Sequence, residues 1–142
     1  LALVMADLDH FKNINDTHGH LVGDFMLRAL VSFLHKNLRD DMDILARYGG
    51  EEFCIIMPNT QKQAAGETVE RIRKQLSETT FTYEKEDLPI RITCSFGVSA
   101  FPSDSAVGKG LIEKSDAALY QAKNLGRNRV VVYDKQSATS DP

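Results

Sequence analysis

Residues 44–57, Ile-Leu-Ala-Arg-Tyr-Gly-Gly-Glu-Glu-Phe-Cys-Ile-Ile-Met, decide the fold. Ile44 to Tyr48 and Glu52 to Met57 read as two strands around Gly49-Gly50. A glycine pair there marks a tight hairpin, because two-residue turns with the favoured twist need positive φ. Upstream, Leu1 to Leu8 is an apolar run of strand length, unbroken from Leu1 to Ala6, as expected for a strand covered on both faces. That run closes on Asp7-Leu8-Asp9. Two acidic pairs, one ending a strand and one leaving a glycine turn, point to carboxylates holding a divalent cation. Such a cation commonly grips phosphates.

The rest of the chain supplies helices to cover this sheet. Phe11 to Asp16 reads as a polar connector with at most one helical turn. From His20 to Leu38, Met26, Leu30 and Phe33, then Leu27, Val31, Leu34 and Leu38, recur at three- and four-residue steps. That is a long helix with a broad buried face. A second helix carries the stripe Ala65, Val69, Ile72 and Leu76, and Thr79 to Pro89 reads as a polar excursion with Phe81 and Tyr83 alternating. Ile90 to Ala100 holds a strand with Ile92, Cys94, Phe96 and Val98 on one side. A loop then leads to a third helix with Leu111 or Ile112, Ser115, Leu119 and Ala122 inward, stopped by Gly126. Arg129 to Tyr133 is a last strand, and residues 136–142 form a polar tail. The order β-α-β-β-α-β-α-β gives an α+β fold: a mixed, mostly antiparallel central sheet flanked by helices.

Bulk properties bound the function. The 142 residues make one domain, expected over 1–135, with 42% hydrophobic and 26% charged residues. A net charge of −3 leaves no polyanion footprint, so no nucleic-acid partner is expected and local basic residues must handle any phosphate. No apolar run is long enough to span a bilayer, and no leader precedes the first strand, so no membrane contact is expected from this segment. Cys54 and Cys94 both sit in strand-like apolar stretches, where a free thiol behaves as a small hydrophobe. That fits a reducing cytoplasm. The chain opens without Met, directly in a strand, and is expected to be a piece of something longer.

Side chains alternate across a strand, so Asp7 and Asp9 share a face. Glu51 and Glu52 are consecutive and diverge, so only one can aim straight at a cation on the Asp7 face unless the strand start twists. If the hairpin lies beside the first strand, its glutamates reach the Asp7 end, giving a hard oxygen site suited to magnesium. The bland alternative is a solvated strand end plus an acidic turn.

Four blocks carry a family resemblance. Asp-Leu-Asp-His-Phe-Lys-x-Ile-Asn-Asp at 7–16, Gly-His-x-x-Gly-Asp at 19–24, Arg-Tyr-Gly-Gly-Glu-Glu-Phe at 47–53 and Ala-Leu-Tyr-x-Ala-Lys-x-x-Gly-Arg-Asn at 118–128 resemble the GGDEF family of diguanylate cyclases. The blocks stand in the family's order and cover nearly the whole chain. The resemblance implies a ferredoxin-like, nucleotidyl cyclase palm-type core.

It also implies roles. Asp7 and the Leu8 carbonyl would ligate magnesium (or manganese), with Glu51 and Glu52 completing the site and deprotonating the attacking hydroxyl. We take Glu51 to do both, with Glu52 assisting; Glu51 is an accepted variant of the signature. Guanine would lie against Asn15 and Asp24, with His20 nearby. A carboxylate accepts from N1–H and the 2-amino group, and an asparagine amide serves the O6 or N3 side. Adenine lacks N1–H and would leave an acceptor unmatched. Taken singly, Asn15 and Asp24 also suit capping or turn duty. Phosphates would meet the backbone at His10 and Phe11 together with Lys12, Lys123 and Arg127. Lys123 and Arg127 lie four apart, able to project to one side of a helix end or to serve as a solvated C-terminal pair.

The implied reaction joins two GTP into cyclic di-GMP. One chain offers one nucleotide site while the product is two-fold symmetric, so a homodimer is the expected working unit, under an upstream sensory domain. One departure stands out. Many members carry Arg-x-x-Asp before the signature as a product-inhibition site; here Asp43 fills the Asp position, Asp40 the Arg position, and Arg39 is one residue off. Weak or absent inhibition is expected. A GTP-binding regulator without catalysis is the main alternative, and intact Asp7, Glu51, Glu52, Lys123 and Arg127 weigh against it. A phosphatase of the Asp-x-Asp type is disfavoured by Phe11, two residues after the second Asp, and a purine-tolerant cyclase by Asp24.

Overall fold

The computed structural model describes residues 1–136; the tail beyond Gln136 lies outside the described residues. Five strands form one sheet in the order β2-β3-β1-β6-β7, with β1 at Ala2–Leu8, β2 at Ile44–Gly49, β3 at Glu52–Met57, β6 at Cys94–Ala100 and β7 at Val130–Val132. β1 lies at the centre, antiparallel to both β3 and β6, and every one of its residues is buried. Its apolar run, broken only by Asp7, is therefore that of a strand covered on both faces. β7 alone runs parallel to its neighbour β6. The sheet is mixed and mostly antiparallel, as its sequence pattern implies.

Helices cover both faces. On one, α2 (His20–Asn37) and α3 (Lys62–Glu78) bury Met26, Leu30, Leu34, Val69, Ile72 and Leu76 against Val4, Leu8, Ile55 and Phe96. On the other, α4 (Gly108–Asn124) packs Leu111 and Leu119 onto Leu3, Met5 and Cys54. Gly97 in β6 sets how close α4 comes. A Cβ there would stand 2.1 Å from the Ser115 carbonyl oxygen and 2.3 Å from the Leu119 nitrogen. The helix thus rests on the strand backbone to backbone.

Three local readings change. Phe11–His18 is an eight-residue helix, α1, rather than a connector; it has no fully buried residue, and its polarity hid it. The 79–89 excursion contains a separate two-stranded hairpin, β4 (Phe81–Tyr83) and β5 (Leu88–Ile90), around a 3-10 turn at Glu84–Glu86. Three-residue strands, one containing Pro89, are too short to show a period. In the signature hairpin Gly49 pairs with Glu52, so the turn is Gly50-Glu51 and only Gly50 (φ 51) needs the left-handed region.

Candidate functional site

The site forms where β1 ends and β3 begins. In the ladder Asp7 stands directly opposite Glu52, which puts both side chains on the α4 face. The Leu8 amide donates to the Glu51 carbonyl at 3.2 Å, holding the turn against the strand end. Arg47 braces that turn at the surface, donating through Nε (2.8 Å) and a terminal nitrogen (2.6 Å) to the Gly50 carbonyl. Asp7 is buried, while Glu51 and Glu52 are half-buried.

Charge is concentrated here. Burial raises the Asp7 carboxyl above its ordinary value; Lys123 opposes the rise, and Glu51 and Asp9 add to it. Glu52 is likewise raised, first by burial and next by the Asp7 charge, with Asp116 and Glu51 contributing. A group of oxygen acids that raise one another is the donor set a hard cation relieves. Among the described residues no group of three or more His, Cys, Asp or Glu side chains is placed to hold a metal ion; a magnesium ion here would have to keep waters and take phosphate oxygens as further ligands.

Lys123, near the end of α4, donates through Nζ to Asp7 Oδ2 at 2.6 Å. Arg127 is placed by a different route from the helical spacing expected of it. α4 ends at Asn124, and the Gly126 amide (φ 118) returns to the Lys123 carbonyl while the Arg127 amide returns to Ala122. This is a Schellman cap, so the cap rather than a shared helix face places Arg127. Asp9 ties the following residue down. It accepts from Thr93 Oγ1 (2.8 Å), Ser95 Oγ (2.7 Å) and the Asn128 amide (2.9 Å), joining β1, β6 and the loop that carries Arg127.

His10 has φ 56 and turns the chain into α1, whose start has no side-chain cap. The first-turn amides at Phe11 and Lys12 are therefore free to meet an anion beside the carboxylates. The Phe11 ring packs on the core, and Lys12 is exposed. Asn15 Oδ1 is buried without a partner, and a Cβ on Gly23 would lie 1.8 Å from it. Asn15 is thereby set against Gly23 near the start of α2, where the following residue Asp24 and, one turn earlier, His20 are both exposed.

Sequence reasoning missed Asp116. It sits on α4 seven residues before Lys123, two turns along one face; burial raises its carboxyl and the Lys123 charge lowers it. The seven-residue spacing was the available signal.

Arg39 and Asp43 meet despite their offset. Arg39 donates to both Asp43 oxygens, the shortest contact being 2.6 Å, and to Thr60 Oγ1 and the Pro58 carbonyl. The pair borders a cleft of about 510 Å³ that Arg71 also lines.

Comparison with known proteins identifies the family and matches the fold. The family described as "Diguanylate cyclase, GGDEF domain" matches residues 1–129. The chain belongs to the GGDEF family. It is 42% identical over 132 residues to diguanylate cyclase A of Treponema denticola, spanning 93% of this chain and 35% of that protein. The GGDEF domain of DgcB from Caulobacter crescentus, solved with c-di-GMP, superposes with a TM-score of 0.83 at 37% identity, covering 92% of this chain and 76% of that one. The active GGEEF domain of a Vibrio cholerae diguanylate cyclase gives 0.82 at 34% identity over 94% and 83%. This chain thus spans about a third of the length of the Treponema relative. Among the described residues of this GGDEF domain, no helix is long and apolar enough to cross a membrane.

Proposed function

We propose that this GGDEF domain, over residues 1–135, is a diguanylate cyclase that condenses two GTP into cyclic di-GMP and pyrophosphate. The supporting observation is the register that sets Glu52 across from Asp7, with Lys123 and the start of α1 at the same sheet end. A magnesium ion (or manganese) would be held by Asp7, the Leu8 carbonyl, Glu51 and Glu52. When bound it neutralises charge on the phosphoryl oxygens and leaving group.

The chain's own groups do the rest. The α1 amides, Lys12, Lys123 and Arg127 bind the triphosphate. Glu51 takes the proton of the ribose 3′-hydroxyl that attacks the α-phosphate of the second GTP, and Glu52 assists. Asn15, Asp24 and His20 hold guanine, and the unpartnered buried Asn15 Oδ1 is an acceptor suited to one of its N–H groups. A C2 homodimer brings two half-sites face to face. Product binds weakly at Arg39 and Asp43, since Arg39 is already engaged and Asp40 adds a negative charge nearby. Control comes from a segment of a longer, cytoplasmic protein.

Incubation with GTP and magnesium, followed by chromatography, tests this reading. Wild type yields cyclic di-GMP; Glu51→Ala and Asp7→Asn do not. GTP binding without product, also in a version fused to a dimerising helix, would leave a regulator instead.

A further inference from the structure

We infer that Lys123 is a tethered competitor for the cation site, holding the Asp7 carboxylate until triphosphate draws it away. The inference rests on Asp7 being a cation ligand. Its own observation is the ion pair, Lys123 Nζ to Asp7 Oδ2 at 2.6 Å, with the Asp7 side chain 9% exposed. An ammonium on one oxygen of a carboxylate repels a dication on the same group, and partial burial weakens the screening between them.

The fold keeps the competitor in place. α4 rests against the β6 backbone at Gly97, and the Gly126 cap ends the helix just beyond Lys123. The helix backbone therefore cannot carry the ammonium away; only its four-carbon arm can swing. Two kinds of anion can receive it: Asp116, whose charge already couples to Lys123, and phosphate oxygens. A nucleotide that takes up Lys123 releases Asp7 for the cation. By linkage the two ligands then favour one another.

The consequence is readable without turnover. Nucleotide-free chain is titrated with Mn2+ alone, and the EPR signal of the free ion gives the affinity. Lys123→Met should bind Mn2+ about fivefold more tightly than wild type, the scale of removing one partly exposed charge pair. Lys123→Gln, which keeps a donor to Asp7 but no charge, carries the same expectation should the methionine variant fold poorly. Lys123→Arg, which retains the cation, should stay near wild type. Adding Asp7→Asn to either neutral variant should abolish the gain. If the neutral variants bind no more tightly while Asp7→Asn still weakens Mn2+ binding, the competitor inference is overturned and the cation reading stands. If Asp7→Asn changes nothing in any background, both fall.

Discussion

Replacing Gly23 by alanine isolates the guanine contact from the stability of the domain. The new Cβ would stand 1.8 Å from Asn15 Oδ1, 2.9 Å from its Cγ and 3.4 Å from a Phe11 ring carbon. No atom tolerates the first distance, so the Asn15 amide must swing out. That movement breaks no hydrogen bond of Oδ1, which has no partner. Meanwhile alanine inside α2 gains up to about 1 kcal/mol of helix propensity over glycine. The melting temperature should therefore hold steady or rise. Nucleotide affinity should fall by the value of one base contact, about 1.4 kcal/mol or roughly tenfold. Calorimetry with a non-hydrolysable GTP analogue on wild type, Gly23→Ala, Asn15→Ala and the double variant reads this directly. Both single variants should lose a similar amount and the double variant no more, because the two changes remove the same contact. Full affinity in Gly23→Ala, or losses that add in the double variant, would refute the placement of Asn15 in the base site.

Three further outcomes follow from the packing. Asp9→Ala leaves Ser95, Thr93 and the Asn128 amide without their acceptor; urea denaturation should show a loss of about 3 kcal/mol, with a raised KM for GTP as the Arg127 loop loosens. Gly97→Ala forces α4 off the sheet, and the same assay should show a loss of about 3 kcal/mol. Burial would raise the Asp43 carboxyl, but the hydrogen bonds and charge of Arg39 outweigh it and hold it below the ordinary 3.8. A lowered folded value means stability that is present above 3.8 and lost as pH falls through the folded value. Arg39→Ala should therefore melt below wild type at pH 7, and the gap should close in strong acid; a gap independent of pH would dismiss the ion pair as its cause.

The elements that carry a period were legible in the chain. The α3 stripe and the inward face of α4 each repeat at the helical spacing, and burial follows it; the apolar run at 1–8 was legible by its length and continuity instead. The motif blocks likewise named Asp7, Glu51, Glu52 and Lys123, which the fold brings to one end of the sheet. Short polar pieces were not legible. In α1 only Phe11 and Ile14 pack on the core, and β4 and β5 hold three residues each, too few repeats for a period to stand out.

Relations between distant residues belonged to the tertiary structure alone. Periodicity gives Asp7 a face, but only the β1–β3 register sets Glu52 rather than Glu51 directly across from it. The stop at Gly126 was legible, but only the structure ties the loop beyond it to Asp9 through the Asn128 amide. The Asp7–Lys123 ion pair joins positions 116 residues apart. A local pattern encodes which way a side chain points; what it meets depends on how sheet and helix pack, and that is fixed by volume and hydrogen bonding across the whole domain.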